Sequence, residues 1–405
     1  MMATKAATAM ASGRSGVRIA RLKLAHFRSY SRLDLDIGVG ELRPILLVGP
    51  NGAGKTNLLE ALSFLAPGRG LRGARLEEVT RIGAPAPWAV HAEAIVDGLP
   101  LAVGTGLAAA PPPRAARDEE VGGPRRVVRI AGDAGAGPQA LARHFSLLWL
   151  TPAMDGLFRD GAGARRRFFD RIAATLHPDH GRHLAAFESA MRERNRLLAE
   201  RGAGADAAWL GALEGRMAEQ AVAIAAARRE TVAHLDAAIG GPGADPAFPR
   251  ATVAVKGWLE EMLAAASALE TEEAYCARLA AERPRDAASG RTGSGPHRSD
   301  FVVSHRDKEM PAALCSSGEQ KALLIGLVLA HAALVGTLGS RPPMLLLDEV
   351  AAHLDGDRLA ALLAHVAALE SQVWMSGTDA DLFRGRGAAV RIFGVADGRV
   401  EPLGS

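Results

Sequence analysis

An eight-residue run, GPNGAGKT, follows an apolar segment ending at Val48 and precedes one with helical spacing. Its members Gly49, Pro50, Asn51, Gly52, Ala53, Gly54, Lys55 and Thr56 match G-x-x-x-x-G-K-[ST], the loop that cradles nucleotide phosphates. Glycines let the backbone come close, so that successive N–H groups meet negative charge, and a helix start adds its partial positive end. Lys55 is placed to reach the β- and γ-phosphates, and the Thr56 hydroxyl to ligate Mg2+, with Asn57 next in line. Far downstream, MLLL ends on Asp348 and Glu349. An acid at the end of a buried strand can hold Mg2+ through a water, as Asp348 would, and Glu349 is placed to orient or deprotonate an attacking water. Lys55, Asp348 and Glu349 are therefore the candidate catalytic set.

A third motif lies between these two. CSSGEQK, residues 315–321, opens a helical segment, and Ser316 has the type of an N-cap. The small residues Ser316, Ser317 and Gly318, followed by Glu319 and Gln320 at a helix start, make a second phosphate-type surface. One γ-phosphate needs one cradle, so this surface is expected to close on the nucleotide held by another copy of the chain.

The elements that must position these groups can be read from periodicity. Residues 17–36 alternate twice, as two half-buried strands, and residues 44–48 form a short buried strand. Residues 56–65 carry helical spacing, and short strands and loops extend from 76 to about 130. From 164 helices dominate: 164–176, 182–200 and 206–239, with a turn expected at 202–205 and a Gly/Pro-rich linker at 240–249. A strand (TVAVKGW), a helix over 260–282 and a loop over 285–296 follow, then helix 318–335, strand 344–347, helix 358–369 and strand 372–375. The run AAAPPPRAARDEEVGG reads as an exposed excursion, and residues 1–16 as a disordered tail.

These motifs resemble the ABC-type ATPases, whose two heads sandwich two nucleotides head to tail. CSSGEQK resembles their signature, and AHLD, ending at Asp355, their D-loop. Met375-Ser376-Gly377-Thr378 falls where transporter ATPases carry a switch histidine, so Thr378 or Ser376 would fill that role. LAHFRSY followed by LDLDI, with GPNGAGKTNLLEALSFLAPGRGLR, TPAMDGLFRDGAGARRRFFD, MRERNRLL, GPHRSDF and CSSGEQKALLIGLVLA in that order, resembles the RecF family, bacterial repair ATPases related to SMC heads.

The resemblance implies an α/β head with a P-loop and a mixed sheet flanked by helices, split by an inserted, mainly helical domain: 17–160 and 286–400 for the head, 161–285 for the insert. It implies ATP and Mg2+ as ligands, Arg28 near the phosphates, and an ATP-dependent homodimer that clamps gapped or single-stranded DNA and helps load a recombinase. Slow, DNA-dependent hydrolysis would reset it. RecR and RecO are the implied protein partners, and the cytoplasm the implied location. Arg69, Arg72, Arg75, Arg165, Arg166 and Arg167 form basic clusters that could meet DNA, or be ordinary solvated arginines. In the Q-loop-like segment Ala153 stands where the family usually has an acid, so either Asp155 takes over its contacts to Mg2+ or water or those contacts are lacking.

Composition allows this reading and weakens its rivals. The chain has 405 residues, 48% of them hydrophobic, and a net charge of +3, which permits an anionic partner without demanding one. Two cysteines, Cys276 and Cys315, supply no disulfide framework and point to a reducing compartment. Apolar runs are expected to fall short of a membrane span. A transporter ATPase subunit would need the switch histidine and a smaller insert. A chromosome-organising head would need long heptads, which the insert lacks.

Overall fold

Alternation in VRIARLKLAHF and YSRLDLD buries one face of each segment, and they form the antiparallel pair β1 (Val17–Phe27) and β2 (Tyr30–Asp36). The computed structural model describes residues 16–40, 42–108, 125–202, 206–241, 246–338, 341–352, 354–383 and 390–403. Residues 1–15 of the tail expected over 1–16, the core of the AAAPPPRAARDEEVGG excursion, residues 203–205 of the turn expected at 202–205 and His353 of AHLD lie outside the described residues.

By packing, the chain divides after Pro152 and after Leu334 into two compact units. The expected boundaries between head and insert, 160/161 and 285/286, differ from these, since residues 286–334 pack with the helical segment.

In the first unit, β2 and β1 continue into β4 (Ala89–Val96), β5 (Leu99–Leu107) and β6 (Arg126–Ile130) as an antiparallel sheet in the order β2-β1-β4-β5-β6. The second sheet runs β14-β13-β3-β12-β11-β7, from β3 (Ile45–Val48), β7 (Leu147–Leu150), β11 (Met344–Leu347), β12 (Val373–Gly377), β13 (Arg391–Ala396) and β14 (Arg399–Leu403). All of its pairings are parallel except β13–β14. Every residue of β3, β7 and β11 is buried, as strands covered on both faces require. The sheets are tied where Ile19 N donates to Gln372 Oε1 (2.8 Å) and Gln372 Nε2 donates back to Ile19 O (3.1 Å). Helix α1 (Lys55–Ser63) packs on both β1 and β12. Its C-terminal end is braced by buried Arg126, which donates to the carbonyls of Phe64, Ala66 (3.1 Å) and Gly68 (2.8 Å). The β13–β14 hairpin is absent from the sequence reading, although its Asp397-Gly398 turn, with φ of 48° and 73°, carries the residue types of a tight hairpin.

The second unit holds α2 (Ala162–Leu176), α3 (His180–Arg201), α4 (Ala207–Gly240), α5 (Trp258–Ala265), α6 (Ala268–Ser289) and, as far as Leu334, α7 (Ser317–Thr337), with a sheet of β8 (Ala251–Lys256), β9 (Asp300–His305) and β10 (Met310–Pro311). The single helix expected over 260–282 is two, because Ser267 and Glu270 form a reciprocal capping box that starts α6 afresh. Helix α6 then runs through Pro284 to Ser289, where a loop is expected. Among the described residues α7 alone is long and apolar enough, at mean hydropathy 1.5, to cross a membrane, against the expectation that apolar runs fall short. Two-thirds of that stretch (67%) is buried within the protein, as in a core helix.

Helix α8 (Gly356–Ala368), in the first unit, buries Leu359, Leu362, Leu363 and Val366 on one face.

Candidate nucleotide site

Strand β3 delivers the chain directly into the glycine loop. At Gly49 a Cβ would lie 2.2 Å from Val395 O of β13, so neighbouring backbone forbids any side chain. Gly54 has φ +112°, and a Cβ there would meet Tyr30 Oη at 2.9 Å and Ser29 Oγ at 3.0 Å. Buried Tyr30 donates its hydroxyl to Gly54 O (3.1 Å), and burial raises the phenol well above its ordinary value. Lys55, 4% exposed, folds back and donates to Gly49 O (2.7 Å) and Pro50 O (3.0 Å). The ammonium is thus held inside the loop, and α1 starts at the same residue with no side-chain cap over its first amides.

The acid pair lies in the same sheet, with β12 between β3 and β11. Thr56 Oγ1 lies 2.9 Å and 3.0 Å from the two carboxylate oxygens of Asp348. A hydroxyl and a carboxylate brought together are the oxygen donors that Mg2+ takes, so these residues fit that ion. Glu349 follows at φ +50°, a left-handed conformation costing about 1–2 kcal/mol for a residue with a side chain. Buried Ser376 donates to Asp348 Oδ1 (2.7 Å) and accepts from Glu349 N (2.9 Å). Thr378 is exposed and lines a cleft of about 810 Å³ with Gly49, Pro50, Asp379 and Asp397.

Arg28, at φ +51°, grips the fully buried carboxylate of Glu60 through Nε (2.9 Å) and Nη2 (2.8 Å), and donates to Glu78 O (2.7 Å). Arg72 joins the same carboxylate (2.7 Å) and the Asn57 amide oxygen (2.8 Å), while Asn57 Nδ2 donates to Ser29 Oγ (2.8 Å). The two arginines read from sequence as a phosphate contact and a DNA contact therefore share one buried acid, which the sequence reading missed. Glu60 lies one turn beyond Thr56 on the face turned into the protein, which periodicity could have flagged as a buried charge in need of partners. Arg69 and Arg75 are exposed.

In the second unit Arg165 pairs with Asp300 (2.9 Å and 2.7 Å) and Arg166 donates to Ser299 O (2.7 Å), so both are tied to GPHRSDF and only Arg167 of the three is exposed. In that segment His297 bonds Thr292 O (3.1 Å) and Arg298 donates to Gly293 O (3.1 Å), closing the turn before β9. Asp155 sits 3.6 Å from Lys321.

The signature residues cap α7. Ser316 N (3.0 Å) and Oγ (2.9 Å) both donate to Glu319 Oε2, and Glu319 N returns a bond to Ser316 Oγ (3.4 Å). Ser317 and Gly318 are exposed, while Gln320 is buried and donates to Cys315 O (2.7 Å). Asp355 similarly caps α8 by accepting from Arg358 N (2.8 Å). Lys308 foremost, then the Ser316 amide and hydroxyl, pull the Glu319 carboxyl from its ordinary 4.5 to about 2. A depressed folded value stabilises above the unfolded one, so this contribution is complete above about pH 4.5 and lost as pH falls towards 2. Glu319→Gln keeps the cap but removes the titration. Its acid-unfolding curve should be flatter than the parent's across that window, and identical curves would show that Glu319 does not contribute.

A parallel sheet in which β3 feeds a phosphate loop and β11 presents an acid pair one strand beyond its neighbour, beside an antiparallel sheet, defines an ABC-type P-loop ATPase head. The comparisons agree. Residues 45–83 match the family model described as AAA domain, putative AbiEii toxin, Type IV TA system. The DNA replication and repair protein RecF of Rhizobium meliloti (strain 1021) is 47% identical over 386 residues, covering 95% of this chain and 98% of that protein. The RecF proteins of Agrobacterium fabrum and Brucella suis biovar 1 are 46% and 45% identical, each over 95% of this chain and over 98% and 96% of their own lengths. The chain belongs to the RecF family of DNA replication and repair proteins. A solved structure described as the recombination mediator protein RecF-ATPrS in the RecFOR pathway shares the fold, at TM-score 0.78 and 19% identity over 97% of this chain and all (100%) of that one.

Proposed function

We propose that the chain is an ATP-dependent DNA-binding protein of recombinational repair. Its ATP-bound dimer clamps DNA at single-strand gaps or single-strand/duplex junctions and helps load the recombinase, and slow DNA-dependent hydrolysis resets it. The observation that carries this reading is the direct meeting of Thr56 with Asp348 beside a left-handed Glu349, in a chain of the RecF family.

Each residue then has a task. The backbone N–H groups of Gly49 and of residues 51–57, Pro50 having none, hold the triphosphate of ATP together with the Lys55 ammonium, and Arg28 lies near the phosphates. Thr56 and Asp348 would hold Mg2+, which would supply positive charge to offset that of the triphosphate. Glu349 orients the attacking water and takes its proton. Ser316, Ser317 and Gly318 of a second copy close over the γ-phosphate, braced from within their own chain by Glu319 and Gln320, with Asp355 at the same joint and Thr378 as the switch. ATP therefore favours the dimer by its differential affinity for that state, and hydrolysis withdraws the preference. Arg69, Arg75 and Arg167, exposed, supply phosphate contacts that follow DNA shape more than base order, and Arg72 reaches DNA from its bond to Glu60. RecR and RecO are the proposed protein partners.

Ser316→Arg tests the shared site: it should bind ATP as a monomer yet fail to dimerise in sedimentation. Full dimerisation of that variant with ATP would overturn the two-copy reading. The DNA side is read by ATP-dependent binding to gapped, single-stranded and duplex DNA at two salt concentrations, where gapped DNA should be preferred and affinity should fall with salt.

A further inference from the structure

Parallel pairing of β11 with β12 sets Leu347 against Met375, and so brings Ser376 alongside Asp348. The Ser376 side chain is 0% exposed and its single hydroxyl makes two different bonds. An ionised carboxylate can only accept and a backbone N–H can only donate, which settles the direction of both. The hydroxyl proton goes to Asp348 Oδ1 (2.7 Å), and the oxygen lone pair takes Glu349 N–H (2.9 Å). Asp348 is thereby oriented from two sides, by Ser376 and by Thr56. Glu349 is held at φ +50° through its amide, a conformation that persists only where the surroundings impose it.

We infer that Ser376 is a positioning residue that locks the two acids into one rigid unit, keeping the Glu349 carboxylate aimed while its neighbour holds the metal side of the site. This rests on the roles given above to Asp348 and Glu349. Alanine in place of Ser376 removes the amide's acceptor and lets Glu349 relax from the left-handed region, while the loop that binds phosphates is untouched. The loss should fall on turnover and spare binding. A buried serine with a merely structural part would show the opposite, a lowered unfolding midpoint with binding and turnover reduced together.

The test uses the full chain with Mg-ATP, measuring nucleotide affinity at equilibrium, steady-state hydrolysis and thermal unfolding for Ser376→Ala, Ser376→Thr and Glu349→Gln. Ser376→Ala should lower kcat about 10–100-fold with affinity within about threefold of the parent. Ser376→Thr, which keeps a hydroxyl at the same carbon, should restore most of that turnover. Parental turnover in Ser376→Ala, an equal loss of affinity and turnover, or a threonine variant as slow as the alanine one would each overturn the inference. Glu349→Gln separates this from the parent reading. If it abolishes hydrolysis while Ser376→Ala does not, only the present inference fails; if neither variant slows turnover, the assignment of Glu349 fails with it.

Discussion

Lys55→Met should abolish nucleotide binding and ATP-dependent dimerisation together. The ammonium is the one mobile cation built into the loop, held by Gly49 O and Pro50 O at 2.7 Å and 3.0 Å. In the proposed complex those bonds are exchanged for charge-assisted bonds to two phosphates, worth about 3–4 kcal/mol in sum, or about 10²–10³-fold in Kd. Methionine fills the same buried stem, so the fold should survive with a change of about 1 kcal/mol or less. Calorimetric titration with Mg-ATP and sedimentation with and without ATP read the two effects. Normal ATP-dependent dimers of this variant would refute the reading, because binding would then owe nothing to the lysine.

The largest effect on stability is expected at Arg194, within the MRERNRLL block. Its side chain is 0% exposed and donates to Glu214 Oε1 (2.9 Å), Asp286 Oδ2 (2.7 Å), Thr292 Oγ1 (3.1 Å) and Leu279 O (2.7 Å). One guanidinium thus joins α3, α4, α6 and the loop before GPHRSDF. Arg194→Met keeps the volume of the stem but strips the cation from two buried acids. Removing one partner of a buried ion pair costs about 3–5 kcal/mol, because the remaining charge has lost its water as well as its partner. Glu214 keeps Arg283 at 2.5 Å, so Asp286 bears most of the loss. Urea unfolding should show the drop, and a change below about 1 kcal/mol would mean that the cluster can rearrange around the gap. Arg194 and the buried Leu197 and Leu198 of this block are therefore explained by the packing of the second unit, whereas Arg192 and Arg196 are exposed.

The residue blocks that carry the family likeness divide by physical role. The glycine loop and the acid pair line the candidate site, whereas MRERNRLL and GPHRSDF supply the internal bonds of the second unit. Arg165 and Arg166, which the sequence offers as DNA contacts, belong to the latter group through Asp300 and Ser299. A run of three arginines looks the same in sequence whether each is bound to an acid or to water. The difference is made by a strand that begins more than a hundred residues later. The break between α5 and α6 was legible, since Ser267 and Glu270 stand at capping-box spacing, but the apolar period runs on through it.

What the amino-acid order determined unaided is everything governed by neighbours within a turn or two: the strand–loop–helix around Lys55, the buried strand before Asp348, and the capped start of the signature helix. Such features need only local backbone geometry and the types of a few adjacent residues. Tertiary structure alone decided that Thr56 and Ser376 would meet at one carboxylate, that Arg28 and Arg72 would share Glu60, and that residues 286–334 would pack with the helices. Each depends on strand register or on burial of a charge, and both are settled by the whole unit finding its lowest free energy.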